Sequence, residues 1–154
     1  MAEEQDKYVK ILFKFFSEIL NESAVETMWA TIINAEKGLY KLDNIPFYAP
    51  VSCEDVVLAE YDEDEERLVY RQTIEHSGNS TIQVVMLDKT ILTDDIRMIF
   101  NHLGCESEKF KEGYFVMEVL STVKYEPIRE KLNELQNDGI IDYAEPNLSN
   151  NHWY

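Results

Sequence analysis

Glycine is scarce in this sequence and never clustered, its five copies standing singly at positions 38, 78, 104, 113 and 139. Neither a GxGxxG nor a Walker pattern can be drawn through them, so the backbone cradle that nucleotide phosphates require is missing. Nucleotide-dependent chemistry is not expected. Cysteine is scarcer still: Cys53 and Cys105 lie far apart, with no CxxC and no histidine cluster. That spacing suits neither a zinc site nor a disulfide framework, and two reduced, partly buried thiols are the expectation, with no metal and no cofactor. No stretch approaches the ~18 consecutive apolar residues of a membrane span, and the opening MAEEQDK has neither the basic start nor the apolar run of a secretion signal. A soluble, cytoplasmic protein is expected.

Cations are the other shortage. Fourteen Lys and Arg face 30 Asp and Glu, a formal net charge of −16. Both halves share the excess, with 17 acids and 7 bases in residues 1–79 and 13 acids and 7 bases in 80–154. Such a surface repels phosphate backbones and anionic lipid, which argues against nucleic-acid and membrane-surface binding, and it attracts cationic proteins. The plain alternative is that acidity keeps an abundant protein soluble.

What is present is a folded composition, 45% apolar and 12% aromatic, in a chain of 154 residues that suits one domain or two small ones. YVKILFKFF alternates from Tyr8 to Phe16 as a strand does. Trp29, Thr31 and Ile33 share a period of two, EKG turns into LYKLD, and EDVVLAEY and RLVYRQTIEH complete five short strands around the breaks at Pro46 and Pro50. Five strands in so short a span point to a small β-barrel or a strongly bent sheet over residues 1–78.

Residues 79–154 read differently. STIQVVML is a strand; Thr93 then offers an N-cap, and Ile96, Ile99, Phe100 and Leu103 form a helical stripe that stops at Gly104. ESEKF and GYFVMEVL are strands, Pro127 opens a second helix with the stripe Ile128, Leu132 and Leu135, Gly139 ends it, and IIDYAEP is the last strand. Laid over each other at an offset of 32, the two halves match Ile82 with Tyr114, Val84 with Val116, Ile96 with Ile128 and Phe100 with Leu132. The order β-α-β-β-α-β is that of a ferredoxin-like unit. The expected fold is therefore α+β, a small β-barrel-like unit followed by a ferredoxin-like one, with EHSGNS as a short turn-like seam.

Chemistry-bearing residues are few. Asp62, Glu63, Asp64, Glu65 and Glu66 run without interruption, yet as a calcium loop counted from Asp62 they fail, because Arg67 stands where glycine must turn the chain and Thr73 where the bidentate glutamate belongs. The run reads as a hairpin tip between VVLAEY and RLVYRQ, available to a basic protein partner through charge complementarity. Glu118, among apolar neighbours, is the candidate for a perturbed carboxylate, although strand alternation could equally aim it at solvent. His76, Ser77 and Ser80 mix a base with hydroxyls but lack a nucleophile elbow, and His102 and His152 lack ligand-spaced companions. The aromatics Tyr8, Phe13, Trp29, Tyr40, Phe47, Tyr48, Tyr61 and Tyr70 are expected in the core, and the terminal NHWY, with Trp153, could dock on the body or on a partner.

The segments GLYKLDNIPFYAPVSCEDVVLAEYDED and HSGNSTIQVV resemble the bacterial family called domain of unknown function 4265 over about residues 8 to 147. The fitting positions are Asn44, Pro46, Phe47, Ala49, Asp55, Val56, Val57, Ser77, Gly78, Ser80 and Thr81, while Glu54 stands where the family usually has glycine. The resemblance implies a small bacterial cytoplasmic protein and transfers no catalytic residue. By composition alone, a small, acidic, motif-poor chain is similar to immunity proteins that occlude the basic surface of a toxin such as a nuclease. The expected function is a non-enzymatic acidic binding protein of that immunity type. A small-molecule-sensing regulatory domain of ferredoxin-like type is the alternative, and an enzyme using His76 or Glu118 comes third.

Overall fold

The computed structural model describes residues 8–154; the leader reading of MAEEQDK lies outside the described residues. The fold is mixed α+β with mostly antiparallel sheets. The chain divides between Ser77 and Gly78 into two compact units.

The first unit holds β1 (Tyr8–Ser17), β2 (Glu22–Asn34), β3 (Leu39–Leu42), β4 (Val56–Asp62) and β5 (Arg67–Glu75). Neighbours in sequence pair antiparallel, and a short parallel pairing of Ile11 with Leu68 and Leu12 with Val69 closes the order from β1 to β5. Alternation aims Ile11 and Phe13 of β1 and Met28 and Ala30 of β2 inward, where they meet Tyr40, Leu42, Val57 and Ala59. Phe13 stacks on Tyr70 with ring centroids 4.6 Å apart. Not every aromatic joins this core: Tyr8, Trp29 and Tyr61 are exposed, contrary to the sequence expectation, Tyr8 and Trp29 because they fall on the outward side of the pleat and Tyr61, in phase with buried Val57 and Ala59, because it stands one rung from the hairpin tip, beyond the core.

Between β3 and β4 the chain carries Pro46 and Pro50 and forms no strand. Glu26 holds this loop instead. Its carboxylate accepts the backbone N–H groups of Phe47 (2.6 Å), Tyr48 (3.0 Å) and Ala49 (2.8 Å). Asn44 Oδ1 accepts the Trp29 N–H at 2.9 Å. The loop ends in a turn, Asp55 N–H donating to Ser52 O at 3.2 Å, whose third residue, Glu54, has φ +71. Left-handed backbone at that position is what glycine tolerates best, so the turn forms at a cost in strain. Glu54→Gly is expected to raise stability by about 0.5–1 kcal/mol, less than the full strain because glycine also gains freedom in the unfolded chain. Urea unfolding monitored by circular dichroism reads it, and a destabilised variant refutes it.

The second unit runs β6 (Ser80–Met86), α1 (Thr93–His102), β7 (Glu106–Lys111), β8 (Tyr114–Val119), α2 (Glu126–Asn137) and β9 (Ile141–Asn147), then a 3-10 turn at Asn150–His152. The sheet order is β7-β8-β6-β9, every pairing antiparallel. Ile82, Val84 and Met86 of β6 share a core with Phe115, Met117 and Val119 of β8 and with Ile96, Phe100, Ile128, Leu132 and Leu135 of the helices. The overlay at 32 therefore holds for the helices and is one residue out for the strands: Ile82 corresponds in facing to Phe115, not Tyr114. A one-residue slip exchanges the two faces of a strand.

Thr93 does not cap α1. It is the first helical residue, after an N-cap Leu92 that makes no side-chain cap bond, and the Glu112 carboxylate accepts both the Thr93 N–H (2.9 Å) and its hydroxyl (2.8 Å). These bonds hold the exposed Glu112 carboxyl below its usual range. An acid from the β7–β8 turn thus does at this helix start what a local cap would have done. No helix among the described residues is long and apolar enough to cross a membrane.

Candidate functional site

The five consecutive acids sit at the β4–β5 hairpin tip. Asp62 pairs with Arg67 as the last rung of the ladder. Asp62 folds the turn, its Oδ1 accepting the N–H groups of Asp64 (2.9 Å) and Glu65 (3.2 Å) and its carbonyl accepting Glu66 N–H at 2.8 Å. Glu65 is engaged as well, its carboxylate lying 2.6 Å from Lys14 Nζ on β1. That hydrogen-bonded carboxylate holds the Lys14 ammonium above its ordinary range. Arg71 lies more loosely, 3.8 Å from Asp62 and 3.7 Å from Glu60. Glu63, Asp64 and Glu66 are exposed, and Glu66 occupies the left-handed region at φ +56. A glycine would fold this turn with less strain.

Lys14 ties the tip to the outward side of the β1–β2 ribbon, a connection invisible in the sequence. The register places Lys10 opposite Trp29, Lys14 opposite Val25 and Phe16 opposite Ser23 on that side. Val25 is 66% exposed, Phe16 58% and Trp29 49%, and Lys10 Nζ lies 4.9 Å from the Trp29 ring centre. An exposed apolar row beside a cluster of negative charge combines an anchor with a steering field.

The other sequence candidates are distributed elsewhere. His76 is exposed on the short segment after β5 and Ser77 donates its N–H to Asp55, whereas Ser80 is fully buried. The histidine beside Ser80 is His152, 72 residues away in sequence, with Nδ1 2.6 Å from Ser80 Oγ. Its Nε2 lies 3.1 Å from Leu120 O and 3.0 Å from Val123 O. Glu118 is buried and accepts the Asn79 side-chain amide at 2.9 Å, which answers the choice that alternation left open. The terminal residues dock on their own unit, Tyr154 hydroxyl donating to Glu145 at 2.7 Å and Trp153 Nε1 to Leu148 O at 3.2 Å.

Of the family-pattern positions, Asn44, Phe47, Ala49, Asp55, Ser77 and Ser80 take part in hydrogen bonds that fix loops. No group of three or more His, Cys, Asp or Glu among the described residues could hold a metal ion. Both cysteines are free thiols, and burial pushes Cys105 up to about 12. At pH 8 its thiolate fraction is then on the order of 10⁻⁴. Cys105 in the folded protein is expected to react with a disulfide reagent at least ~100-fold more slowly than after unfolding, while the half-buried Cys53 reacts first. Equal rates in the native state would show that Cys105 is accessible.

Residues 26–143, more than half of the chain, match the family described as domain of unknown function (DUF4265), and the chain belongs to that family. A solved structure described as a hypothetical protein from Neisseria gonorrhoeae is similar to it at 22% identity, over 92% of this chain and 95% of that one, with a TM-score of 0.79. That likeness is one of fold. Among curated proteins none matches the chain.

Proposed function

We propose that this chain is a non-enzymatic acidic binding protein that docks a basic protein partner, in the manner of an immunity protein covering the cationic surface of a bacterial toxin. The observation that carries the reading is the Lys14–Glu65 contact of 2.6 Å, which sets the acidic tip beside the exposed row of Trp29, Val25 and Phe16. The tip would speed encounter and fix register, and Trp29 would supply buried contact area once docked. Glu66 adds support: a carboxylate is kept at a left-handed position where glycine would fold better, as happens when function outweighs local stability. For the architecture we read the first unit as a small closed barrel and the second as ferredoxin-like, on the strand orders and the β-α-β-β-α-β sequence given above. A small-molecule-sensing role for the second unit is the alternative reading, favoured by a cleft within it.

The test uses the toxin encoded nearest the gene, with binding followed by interferometry across a salt series. Reversing the three exposed acids, Glu63→Lys with Asp64→Lys and Glu66→Lys, is expected to slow association about 100-fold at low salt and far less at high salt. Trp29→Ala is expected to raise the dissociation rate instead. If the charge-reversed tip binds as fast as the parent at low salt, the proposal fails.

A further inference from the structure

The second unit contains a cleft of about 580 Å³ between the first turn of α2 and the terminal residues. Its size is in the range of small-molecule sites. Two cations, Lys124 and Arg129, and two carboxylates, Glu126 and Glu130, line it together with Trp153 and Tyr154. A purely anionic ligand would meet Glu126 and Glu130, and a purely cationic one would meet Lys124 and Arg129. Only a molecule carrying both charges is matched by both pairs.

Arg129 is oriented but not used up. Its guanidinium carbon lies 3.6 Å from the centre of the Tyr154 ring, and its Nε is buried without a hydrogen-bond partner among the described residues. A guanidinium held flat on a ring presents its remaining donors as a fork that suits a carboxylate. The start of α2 lacks a side-chain cap and has Pro in its first turn, so the helix dipole adds to the attraction for that carboxylate. Glu145 accepts the hydroxyls of Tyr125 (2.5 Å) and Tyr154 (2.7 Å) and also attracts Arg129 electrostatically, so a ligand carboxylate shares the guanidinium with it. His152 on the cleft lining is engaged on both ring nitrogens within its own unit. Trp153, 69% exposed, and Tyr154 add aromatic surface for a flat side chain.

We infer that this cleft binds a free amino acid with an aromatic side chain, its carboxylate towards Arg129 and Lys124 and its ammonium towards Glu126 and Glu130. This gives the sensing alternative a ligand class. It shares no residue with the acidic tip, so either proposal can fail alone.

The full chain has two tryptophans, and Trp29→Phe leaves Trp153 as the sole emitter. Titration of that variant with L-phenylalanine is expected to change Trp153 emission saturably, with half-saturation below about 1 mM. 3-Phenylpropionate, lacking the ammonium, and phenethylamine, lacking the carboxylate, are expected to bind at least ~10-fold more weakly. Arg129→Gln should weaken L-phenylalanine at least ~10-fold. Should Arg129→Gln fail to fold, Glu126→Gln with Glu130→Gln, both on exposed positions, reads the same point: it should weaken L-phenylalanine and spare 3-phenylpropionate. No saturation by about 20 mM, equal binding of either half-ligand, or no effect of the acid-to-amide pair overturns the inference.

Discussion

Asp55→Ala is expected to lower the stability of the first unit by about 3 kcal/mol, the cost of removing a buried charged acceptor from two backbone donors. Asp55 is 1% exposed. Its Oδ2 accepts the Ser52 N–H at 3.0 Å and its Oδ1 the Ser77 N–H at 2.8 Å. One carboxylate therefore closes the turn before β4 and ties the end of the β5 segment to it, across 22 residues of sequence. Its backbone is held too, the carbonyl accepting the Leu42 N–H at 2.9 Å. Asparagine at this position keeps the size but offers one acceptor where two are used, and aims an amide N–H at a backbone N–H. Asp55→Asn is thus expected to recover only part of the loss, to about 2 kcal/mol below the parent. Urea unfolding gives the total, and amide exchange at β4 and β5 assigns it to the first unit. Unchanged stability of Asp55→Ala would mean that the carboxylate does not hold these donors in solution.

The same residue shows why the fold was partly legible in sequence. Alternation in β1 and the stripes Ile96, Phe100 and Ile128, Leu132 report burial of one face, a property repeated along each element and therefore readable locally. The glycines that stop both helices, Gly104 and Gly139, have φ +99 and +74, a local demand that only the sequence position need satisfy. Bonds from a side chain to distant backbone leave no such trace. Glu26 holds Phe47 to Ala49, Asp55 holds Ser77 and Glu112 holds the start of α1, and each depends on which strands lie side by side. The one-residue error in relating β6 to β8 has the same origin, since two neighbouring apolar residues on a strand buried on both faces give period two nothing to choose between.

The candidate site was legible to the same depth. A run of acids between two strand patterns already described a hairpin tip, and the tip is one. What the run could not disclose is that Asp62 is taken up by the turn and Glu65 by Lys14, leaving Glu63, Asp64 and Glu66 as the exposed charges. The aromatic expectation failed at Trp29 because an exposed and a buried aromatic on a strand obey the same alternation. Only the register against β1, with Lys10 opposite, fixes which side is outward. Composition suggested an anionic binding surface, and geometry supplies its apolar neighbour.

His152→Ala is expected to destabilise the second unit by about 3 kcal/mol, whereas His76→Ala and His102→Ala, both exposed, should stay within about 0.5 kcal/mol of the parent. Nε2 of His152 lies between two carbonyl oxygens, Leu120 O and Val123 O, and only an N–H is stable there. The proton therefore sits on Nε2, and Nδ1 accepts from the Ser80 hydroxyl at 2.6 Å. Ser80 Oγ in turn accepts the Ser149 N–H at 2.8 Å, so the chain of bonds joins the start of β6 to the terminal segment and to the loop between β8 and α2. Truncation removes an acceptor from Ser80, a donor from two carbonyls and the ring beside Tyr125, whose centroid is 5.7 Å away. Ser80→Ala alone removes one link, and the double variant should show a coupling of about 1–2 kcal/mol between the two positions. That coupling measures the Ser80–His152 link itself. The Ser80 hydroxyl is fully buried and His152 links three segments of its own unit, so their removal should change unfolding rather than turnover. If His152→Ala unfolds at the same urea concentration as the parent, the pair is not wired in this way and a reactive role for Ser80 reopens.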